Sequence, residues 1–543
     1  MYLCGKKKME HIRTDFGLLE RARTCWDAAS GFRADRDRNK RFTYGDQWSD
    51  LVDDGVSKVP EETLIRRQGN TPLKNNLIRR LVRNVLGVYR NRWTLPECVA
   101  RDPAESVRTA TMQRLMHFNI ATNRMEELYS RSMEEFLIGG LVVHKKWFGS
   151  KGNRTDCWTD FVQPDRFIID PSTRDFRGWD ITLVGEIHDM SFDEICSSFC
   201  TSAEERKALR DIYRTDNGGV TQTVPFGSGE RSPSFHTPAN AGACRVIEIW
   251  TLEHPSRYAC HDTASGRRFR VNEEDYDRIV EQENRRRILQ CEKDLSLPRL
   301  IEARWRTDEE WHYHFITPDG QVIREGASPY SHGSHPYVFK AYPFIDGEIH
   351  SFVSDIIDQQ KVTNRLISMY DWILRASAKG VLLFPEESLP QGVCIDDIAD
   401  EWSRFNGVIL FRPRAGIPLP QQVSSKCADI GITDLLNIQM KMMEDISGVN
   451  GALQGKLDSS TMSGTLYDQQ TRNSLTALAD IMGSFEDFMA EAIRKDASNI
   501  RQYYSPRRIE AVTGLHPGLT SDLRPSRNFF SPDLDFGWRL RNT

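Results

Sequence analysis

The segment of this sequence that comes closest to a catalytic motif is glycine-rich and occupies residues 451–457, Gly-Ala-Leu-Gln-Gly-Lys-Leu. A phosphate-binding loop has the pattern Gly-x-x-x-x-Gly-Lys followed by Ser or Thr, whose hydroxyl binds Mg²⁺, and it follows a β-strand. This segment lacks one residue between its glycines, carries Leu457 where the hydroxyl is needed, and follows a predicted helix. Nucleotide binding is therefore not expected here.

Cysteine and histidine pairs offer the other candidate chemistry, which is metal binding. The pairs are Cys196 with Cys200, His254 with Cys260 and His261, His312 with His314, and His332 with His335. The first pair would share one helix face, but no second pair stands at the interval that a zinc site requires. His312 and His314 alternate with aromatic residues, as on the polar face of a strand. No Gly-x-Ser-x-Gly or His-Glu-x-x-His motif occurs, so we predict no enzyme, metal or cofactor.

The composition is that of a folded chain with several domains. It has 543 residues, of which 39% are hydrophobic and 27% are charged. A net charge of −5 makes the whole molecule a poor electrostatic attractor for nucleic acid. Eleven cysteines without a repeating interval indicate free thiols in a reducing cytoplasm. No apolar run approaches the length of a membrane-spanning helix.

Three long helical runs dominate the C-terminal part of the sequence, at 349–379, 429–449 and 465–503. In the first run, apolar residues from Ile349 to Tyr370 and Leu374 recur at intervals of mostly three and four, which predicts one buried seam. Between the first two runs lies a Pro-rich insert, 380–425, with β-forming residues at 381–384 and 407–411 and a predicted helix at 396–405. Between the last two lies 450–464, where most residues are small or polar.

The first 345 residues alternate helical and strand patterns, which predicts a mixed α+β fold. Ser191 and Glu194 stand at the spacing of a helix capping box. Two strand patterns at 301–307 and 311–317 follow one another closely and predict a hairpin.

This order of elements resembles the portal proteins of tailed bacteriophages, most closely the longer portals of short-tailed phages. The resemblance covers about residues 40–515 and includes a basic helical segment at 75–92. Its other segments are 44–48 (Tyr-Gly-Asp-Gln-Trp), 161–171 (Phe-Val-Gln-Pro-Asp-Arg-Phe-Ile-Ile-Asp-Pro), 342–348 (Tyr-Pro-Phe-Ile-Asp-Gly-Glu), 355–365 (Asp-Ile-Ile-Asp-Gln-Gln-Lys-Val-Thr-Asn-Arg), 447–455 (Ser-Gly-Val-Asn-Gly-Ala-Leu-Gln-Gly) and 463–464 (Ser-Gly).

The resemblance implies an α+β portal architecture made of consecutive parts. These are a wing at 1–345, a first stem helix at 346–379, a clip at 380–425, a second stem helix at 426–449, a tunnel loop at 450–464, a long wing helix at 465–504, and a shortened or disordered crown or tail at 505–543. It also implies a ring, usually of twelve subunits, at one capsid vertex of the virion, assembled in the host cytoplasm. Double-stranded DNA is packaged and ejected through this ring, and the large terminase subunit, capsid and scaffolding proteins and a tail adaptor are the implied partners.

The same resemblance assigns site residues. A closed ring requires each subunit to present two different faces, and charges of both signs on the first stem helix could pair between neighbours. These are Asp355, Asp358, Arg365, Asp371 and Arg375. The clip residues are Asp396, Asp397, Glu401 and Trp402, and the DNA-channel residues of the tunnel loop are Lys456, Asp458, Ser459, Ser460, Thr461 and Met462. With one Lys and one Asp, that loop could border DNA without holding it.

Two other functions are compatible with the sequence. A nucleic-acid packaging enzyme would need the phosphate-binding loop that residues 451–457 do not provide. A non-phage scaffold protein could form oligomers through the same three helices.

Overall fold

The computed structural model describes residues 13–99, 106–216, 234–238, 240, 242–294, 298–379, 381–403, 407–413, 416–423, 431–451, 453, 469, 472–473, 475–514 and 537–540. The chain divides into two compact units. The first contains Met1–Lys40, Val82–Ser354 and Asp468–Thr543, and the second contains Arg41–Leu81 and Asp355–Tyr467. Residues 41–81, predicted as part of the wing, thus belong to the same unit as the two predicted stem helices.

The secondary structure mixes helices and strands, as predicted. The helices are α1 (Phe16–Ala28), α2 (Ser30–Tyr44), α3 (Glu61–Arg67), α4 (Leu77–Asn91), α5 (Ser106–Thr122), α6 (Met125–Gly139), α7 (Phe192–Phe199), α8 (Ala203–Asp216), α9 (Gln282–Asp294), α10 (Ile357–Lys379), α11 (Ile395–Ser403), α12 (Ile432–Ser447), α13 (Ala479–Tyr503) and α14 (Pro506–Thr513). The strands are β1 (Leu51–Asp53), β2 (Lys58–Pro60), β3 (Pro96–Val99), β4 (Leu141–Lys151), β5 (Arg154–Val162), β6 (Phe167–Ile169), β7 (Leu183–Met190), β8 (Cys244–Glu253), β9 (Ser256–Asp262), β10 (Arg268–Asn272), β11 (Ile301–Thr307), β12 (Glu310–Ile316), β13 (Val322–Ala327), β14 (Tyr337–Ala341), β15 (Phe344–Ile345), β16 (Glu348–Ile349), β17 (Val381–Leu383), β18 (Gln421–Val423) and β19 (Gly537–Leu540). Among the helices that the structure describes, none is both long and apolar enough to cross a membrane.

A five-stranded sheet in the order β13-β12-β8-β7-β6 forms the centre of the first unit. Helix α1 covers part of it, because Leu19, Ala22 and Trp26 pack on the inward residues of the sheet, among them Ile187 and Ile247. Helix α7 begins with the predicted capping box. The Ser191 side chain accepts the backbone N–H of Glu194, and the Glu194 carboxylate accepts the backbone N–H of Ser191.

The predicted hairpin at 301–317 is wrong. Both strands form, but β11 pairs with β9 in a separate three-stranded sheet, β10-β9-β11, while β12 pairs with β8 and β13. Leu252 pairs with Trp311 in the five-stranded sheet, and Ser256 pairs with Thr307 in the three-stranded sheet. The chain segment of β8 and β9 therefore runs alongside the segment of β11 and β12 from one sheet into the other. The short connection at 308–309 therefore joins two sheets instead of turning the chain back.

Helix α13 packs on the sheet β14-β4-β5 and closes the other core of the first unit. Its Phe485 makes edge-to-face contacts with Tyr89 at 5.3 Å and Tyr129 at 6.3 Å between ring centroids, and Phe488 lies 6.2 Å from Tyr129. The same helix carries Asp496, whose carboxylate Oδ2 lies 2.5 Å from the Lys146 ammonium inside the protein. The apolar spacing predicted one helix at 465–503, whereas this helix begins at Ala479 and a turn at Leu478 separates it from the helical residues at 475–477.

The predicted C-terminal tail contains ordered elements. Helix α14 follows α13 directly, and β19 pairs antiparallel with β3, with Trp538 opposite Cys98. The expectation of disorder therefore does not hold for 506–513 or 537–540. The nine cysteines that lie within the described part of the chain are all free thiols.

In the second unit, the predicted order of helix, β-containing insert and helix is present. The first helix begins at Ile357 and not at 349 as predicted, because Glu348–Ile349 forms β16 and only a short 3₁₀ turn at Ser354–Ile356 precedes the helix. Helix α10 packs against α12. The insert between them contains the two-stranded sheet of β17 and β18, in which Leu382 lies opposite Gln422. The predicted strand at 407–411 does not form, because no described strand of this chain pairs with it, and Val408 and Leu410 are exposed.

Candidate functional site

The first half of helix α10 is fixed by a buried network of amide side chains. Gln360 and Asn364 lie one turn apart, and the Nε2 of Gln360 donates to the Oδ1 of Asn364 at 2.9 Å. Asn364 in turn donates to the Oε1 of Gln47 at 2.7 Å, and Gln47 donates to the backbone carbonyl of Phe42. All three amides are buried, so each hydrogen bond replaces one that the group had with water in the unfolded chain.

The same network caps helix α4. The Oε1 of Gln360 accepts the backbone N–H groups of Leu77 at 3.0 Å and Ile78 at 3.3 Å, while its Nε2 donates to the Asn75 carbonyl at 2.7 Å. The first N–H groups of a helix have no partner within the helix, so a side chain from elsewhere must supply an acceptor. Further along α10, Ser368 accepts the backbone N–H of Leu73 at 3.0 Å. Residues 73–78 are thus held by successive turns of α10.

The second half of α10 and most of α12 expose large apolar side chains. On α10, Met369 is 46% exposed and Trp372 is 52% exposed, and the predicted seam residues Tyr370 and Leu374 are exposed as well. On α12 the exposed residues are Leu435, Ile438, Met442 and Ile446, which recur at intervals of three and four and form one stripe. The prediction of a continuously buried seam is therefore wrong for the single chain, in which the seam is covered only over the first half of α10.

The structure also places the charged residues that the sequence analysis assigned to subunit contacts. Asp355 and Asp358 are exposed at the start of α10, and Asp371 is half-buried. Arg365 donates to the Oε1 of the buried Glu61 at 2.7 Å, so its guanidinium already has a partner within the chain. For Arg375 the structure describes the helical backbone but not the side-chain environment.

The clip residues lie on α11, whose first turn is acidic. Asp396 and Asp397 are exposed, and the Asp397 carboxylate accepts the backbone N–H of Cys394 at 2.8 Å. Glu401 and Trp402 are half-buried, and Glu401 accepts the backbone N–H of Val408 at 3.1 Å. Among the hydrogen bonds of the described residues, this bond to the backbone of Val408 is the one that attaches the apolar segment 407–411 to α11. The segment therefore keeps an exposed apolar surface.

The predicted DNA-channel residues lie outside the described residues. They are Lys456, Asp458, Ser459, Ser460, Thr461 and Met462. The helix that leads into this segment, α12, ends at Gly448 with a left-handed backbone (φ of 67°). Glycine adopts this conformation at little cost, so the chain leaves the helix sharply there.

The most conspicuous charge cluster was not recognised in the sequence. Glu186, His188 and Glu248 on β7 and β8 place ligand atoms within 4.8 Å of one another, as a metal site would. However, the Lys145 ammonium contacts Glu248, and His188 Nε2 lies 2.8 Å from the same carboxylate. Although burial raises the pKa of Glu248, the Lys145 ammonium and the hydrogen bond with His188 together hold that pKa below its usual range. Lys145 lies near both carboxylates and neutralises one of the two negative charges, and the cluster joins the sheet of β4 to the sheet of β7 and β8. Alternation of charged residues within strands was its only signal in the sequence.

The Cys and His pairs of the sequence analysis do not gain a third metal ligand in the described part of the chain. His332 stacks on Tyr330 with ring centroids 5.1 Å apart, and His335 lies edge-on to Trp311 at 4.7 Å. Burial lowers the pKa of His332 to about 3 and that of His335 well below its usual value. Nearby, the buried Lys495 donates to the carbonyls of His335 and Tyr337, and burial lowers its pKa to about 8. Among the described residues these histidines form no group of three metal ligands.

A family model described as Phage P22-like portal protein matches residues 19–516, which is most of the chain. No curated protein matches the sequence.

Proposed function

The chain belongs to the P22-like phage portal protein family, which forms the ring for DNA passage at a capsid vertex, and from this premise we propose that α10 and α12 supply the contacts between its subunits. The family is structural and not enzymatic. The protein therefore acts as a homo-oligomer that works with capsid and packaging partners.

The observation that carries the proposal is the exposed apolar surface of α10 and α12. Leaving several large apolar side chains half-exposed costs about 1 kcal/mol or more for each, relative to covering them. The α12 stripe of Leu435, Ile438, Met442 and Ile446 keeps the spacing of a helix that packs against another helix. A neighbouring subunit would cover it with the exposed part of its α10, where Met369 and Trp372 lie. Because the two surfaces differ, each subunit binds one neighbour on each side, as a ring requires.

Ring assembly tests this proposal directly. Light scattering and negative-stain images of the parent protein should give closed rings with a central hole. The double substitution Leu435→Asp, Met442→Asp should leave single chains, because burying four added carboxylate oxygens per contact without partners is strongly unfavourable. The control Leu289→Asp changes an equally apolar and exposed residue on α9 and should leave rings intact. Rings of the double variant with normal stability would disprove the assigned contact.

The proposal also covers the number of subunits in the ring, the DNA in its channel and the proteins that dock on it. We place twelve subunits in the ring, double-stranded DNA in its channel, and assembly in the host cytoplasm before the ring takes its place at the vertex. Residues 450–464 would border the DNA. The opposite charges of Lys456 and Asp458 leave this loop without a strong net attraction for phosphate.

The insert 380–425 would dock the large terminase subunit during packaging and the tail adaptor afterwards. Its two-stranded sheet is too small to be stable alone, so neighbouring subunits would complete it, and 407–411 would then pair with a strand of a neighbour. The exposed Asp396 and Asp397 would face the docking protein. Deletion of 380–425 should preserve the fold of the first unit and abolish packaging, measured as DNA protected from nuclease. Packaging at the parental level would exclude the docking role.

A further inference from the structure

The sheet β10-β9-β11 in the first unit has two faces of opposite character. Directly opposed residues of antiparallel strands lie on the same face. One face contains Phe269, Cys260 and Ala303 in one row and packs against Val280, which is buried. The residues that alternate with these lie on the other face, away from the small core.

The outward face is lined with arginine. Its three rows are Arg268, His261 and Glu302; Arg270, Ala259 and Arg304; and Asn272, Arg257 and Arg306. Within the strands, five arginines thus share this face with one carboxylate. Four of the five are exposed, and Arg257 is half-buried. Adjacent strands are about 4.8 Å apart and alternate residues about 7 Å apart, so the guanidinium groups form a grid of closely spaced positive charge.

Some of these charges are neutralised within the chain and others are not. Asp308 pairs with Arg270 at 3.2 Å and also with Arg306, and Glu310 pairs with Arg257. The side chains of Arg268 and Arg304 make no hydrogen bond or ion pair with any residue in the part of the chain that the structure describes. They lie on opposite edge strands, and the small side chain of Ala259 lies on the central strand between Arg270 and Arg304. The middle row therefore forms a shallow trough with a guanidinium at each side.

We propose that this arginine-lined face binds the phosphate backbone of double-stranded DNA. Guanidinium groups match phosphate oxygens with two parallel hydrogen bonds, and rows of them suit a regular polyanion. The aromatic residues of the sheet, Phe269, Tyr258 and Trp305, all alternate onto the opposite face. The arginine face thus offers no Phe, Tyr or Trp ring on which an unpaired base could stack, and its one imidazole, His261, lies opposite the carboxylate of Glu302. This favours a duplex over a single strand. The proposal rests on the ring function in one respect, the choice of DNA as the polyanion.

The test measures binding of the full-length protein to a fluorescein-labelled duplex of about 30 base pairs by anisotropy, between about 50 and 200 mM salt. We expect Arg268→Gln, Arg304→Gln to lower the affinity at the lowest salt at least about tenfold. The slope of log affinity against log salt should fall by about 0.9 for each phosphate that is no longer neutralised. Both residues are exposed and outside the core, so the fold should be unaffected. The matched control Arg285→Gln, Arg286→Gln removes the same charge from α9 in the same part of the chain and should change the affinity less than about twofold.

Three results would overturn the inference. The first is an equal decrease in affinity in both double variants, which would make the effect one of total charge. The second is tighter arginine-dependent binding of polyglutamate than of the duplex, which would assign the face to an acidic protein. The third is tighter binding of a single-stranded oligonucleotide. Images of the same preparations separate this inference from the ring function. Intact rings that do not bind the duplex refute only the inference, whereas single chains whose duplex binding needs Arg268 and Arg304 support it and refute the ring contact.

Discussion

The Oε1 atom of Gln360 on helix α10 accepts the backbone N–H of Leu77, the first residue of helix α4, at 3.0 Å. These residues are 283 positions apart in the sequence. The buried amide of Gln360 therefore caps the N-terminus of α4 while it lies within α10. Through Asn364, the same hydrogen-bond network reaches Gln47. The contact fixes the first half of α10 and thereby positions the second half, where Met369 and Trp372 of the proposed subunit contact lie.

Removal of this cap should destabilise the second unit. Gln360→Ala deletes the acceptor for two N–H groups and the donor to Asn75, and we expect the free energy of unfolding to fall by about 2–3 kcal/mol. Urea unfolding followed by circular dichroism would measure it. Gln421→Ala removes the same side chain from an exposed strand and should cost less than about 0.5 kcal/mol. Equal effects of the two substitutions would show that the network contributes no stability.

The buried ion pair of Lys146 and Asp496 should behave differently when one or both partners are removed. Burial lowers the pKa of Lys146 and raises the pKa of Asp496, since loss of water disfavours each charge. Lys146→Met leaves a buried carboxylate alone and should cost about 3–5 kcal/mol. Adding Asp496→Leu should restore most of that stability. The exposed Lys151→Met serves as the control, and a double variant as unstable as the single one would contradict this account.

Lys495 should make stability depend on pH in the alkaline range. Burial lowers its pKa from 10.5 to about 8, so between these values the unfolded chain binds a proton that the folded chain has released. The contribution of Lys495 to stability is therefore lowest below about pH 8 and rises as the pH approaches 10.5, by up to about 3 kcal/mol. The observable is the stability difference between the parent and Lys495→Met, because other titrating groups cancel in it. A difference that stays constant across this range would refute the prediction.

Added positive charge in the proposed tunnel loop should slow DNA passage without affecting the fold. The change is Ser459→Lys, Ser460→Lys, Thr461→Lys, which adds three charges to each subunit. Each new phosphate contact strengthens binding, so we expect intact rings with an unchanged melting temperature whose packaging stalls or depends strongly on salt. The same positions changed to Gln provide a control of similar size without the charge. If the Lys rings package DNA as the parent does at every salt concentration, the loop does not border DNA.

The sequence by itself determined the secondary-structure elements that depend only on residues close together in the chain. The 3.6-residue pattern predicted α4, α10 and α12, because a helix buries one side whatever covers it. Likewise, the Ser191 capping box was predicted because it depends only on residues three positions apart. The resemblance to portal proteins also came from the order of such elements, and the match over residues 19–516 confirms it.

Only the tertiary structure decided which strands and helices meet. The pairing of β11 with β9 and not with β12 depends on partners 39 to 51 residues away, which no local pattern records. The arginine face is similar, because alternating polar residues in a strand indicate solvent and do not say which strands align. The same limit applies to Tyr370 and Leu374, predicted as core and exposed in the single chain. Hydrophobic spacing records that a surface must be covered, but it does not state whether the same chain or a neighbour covers it.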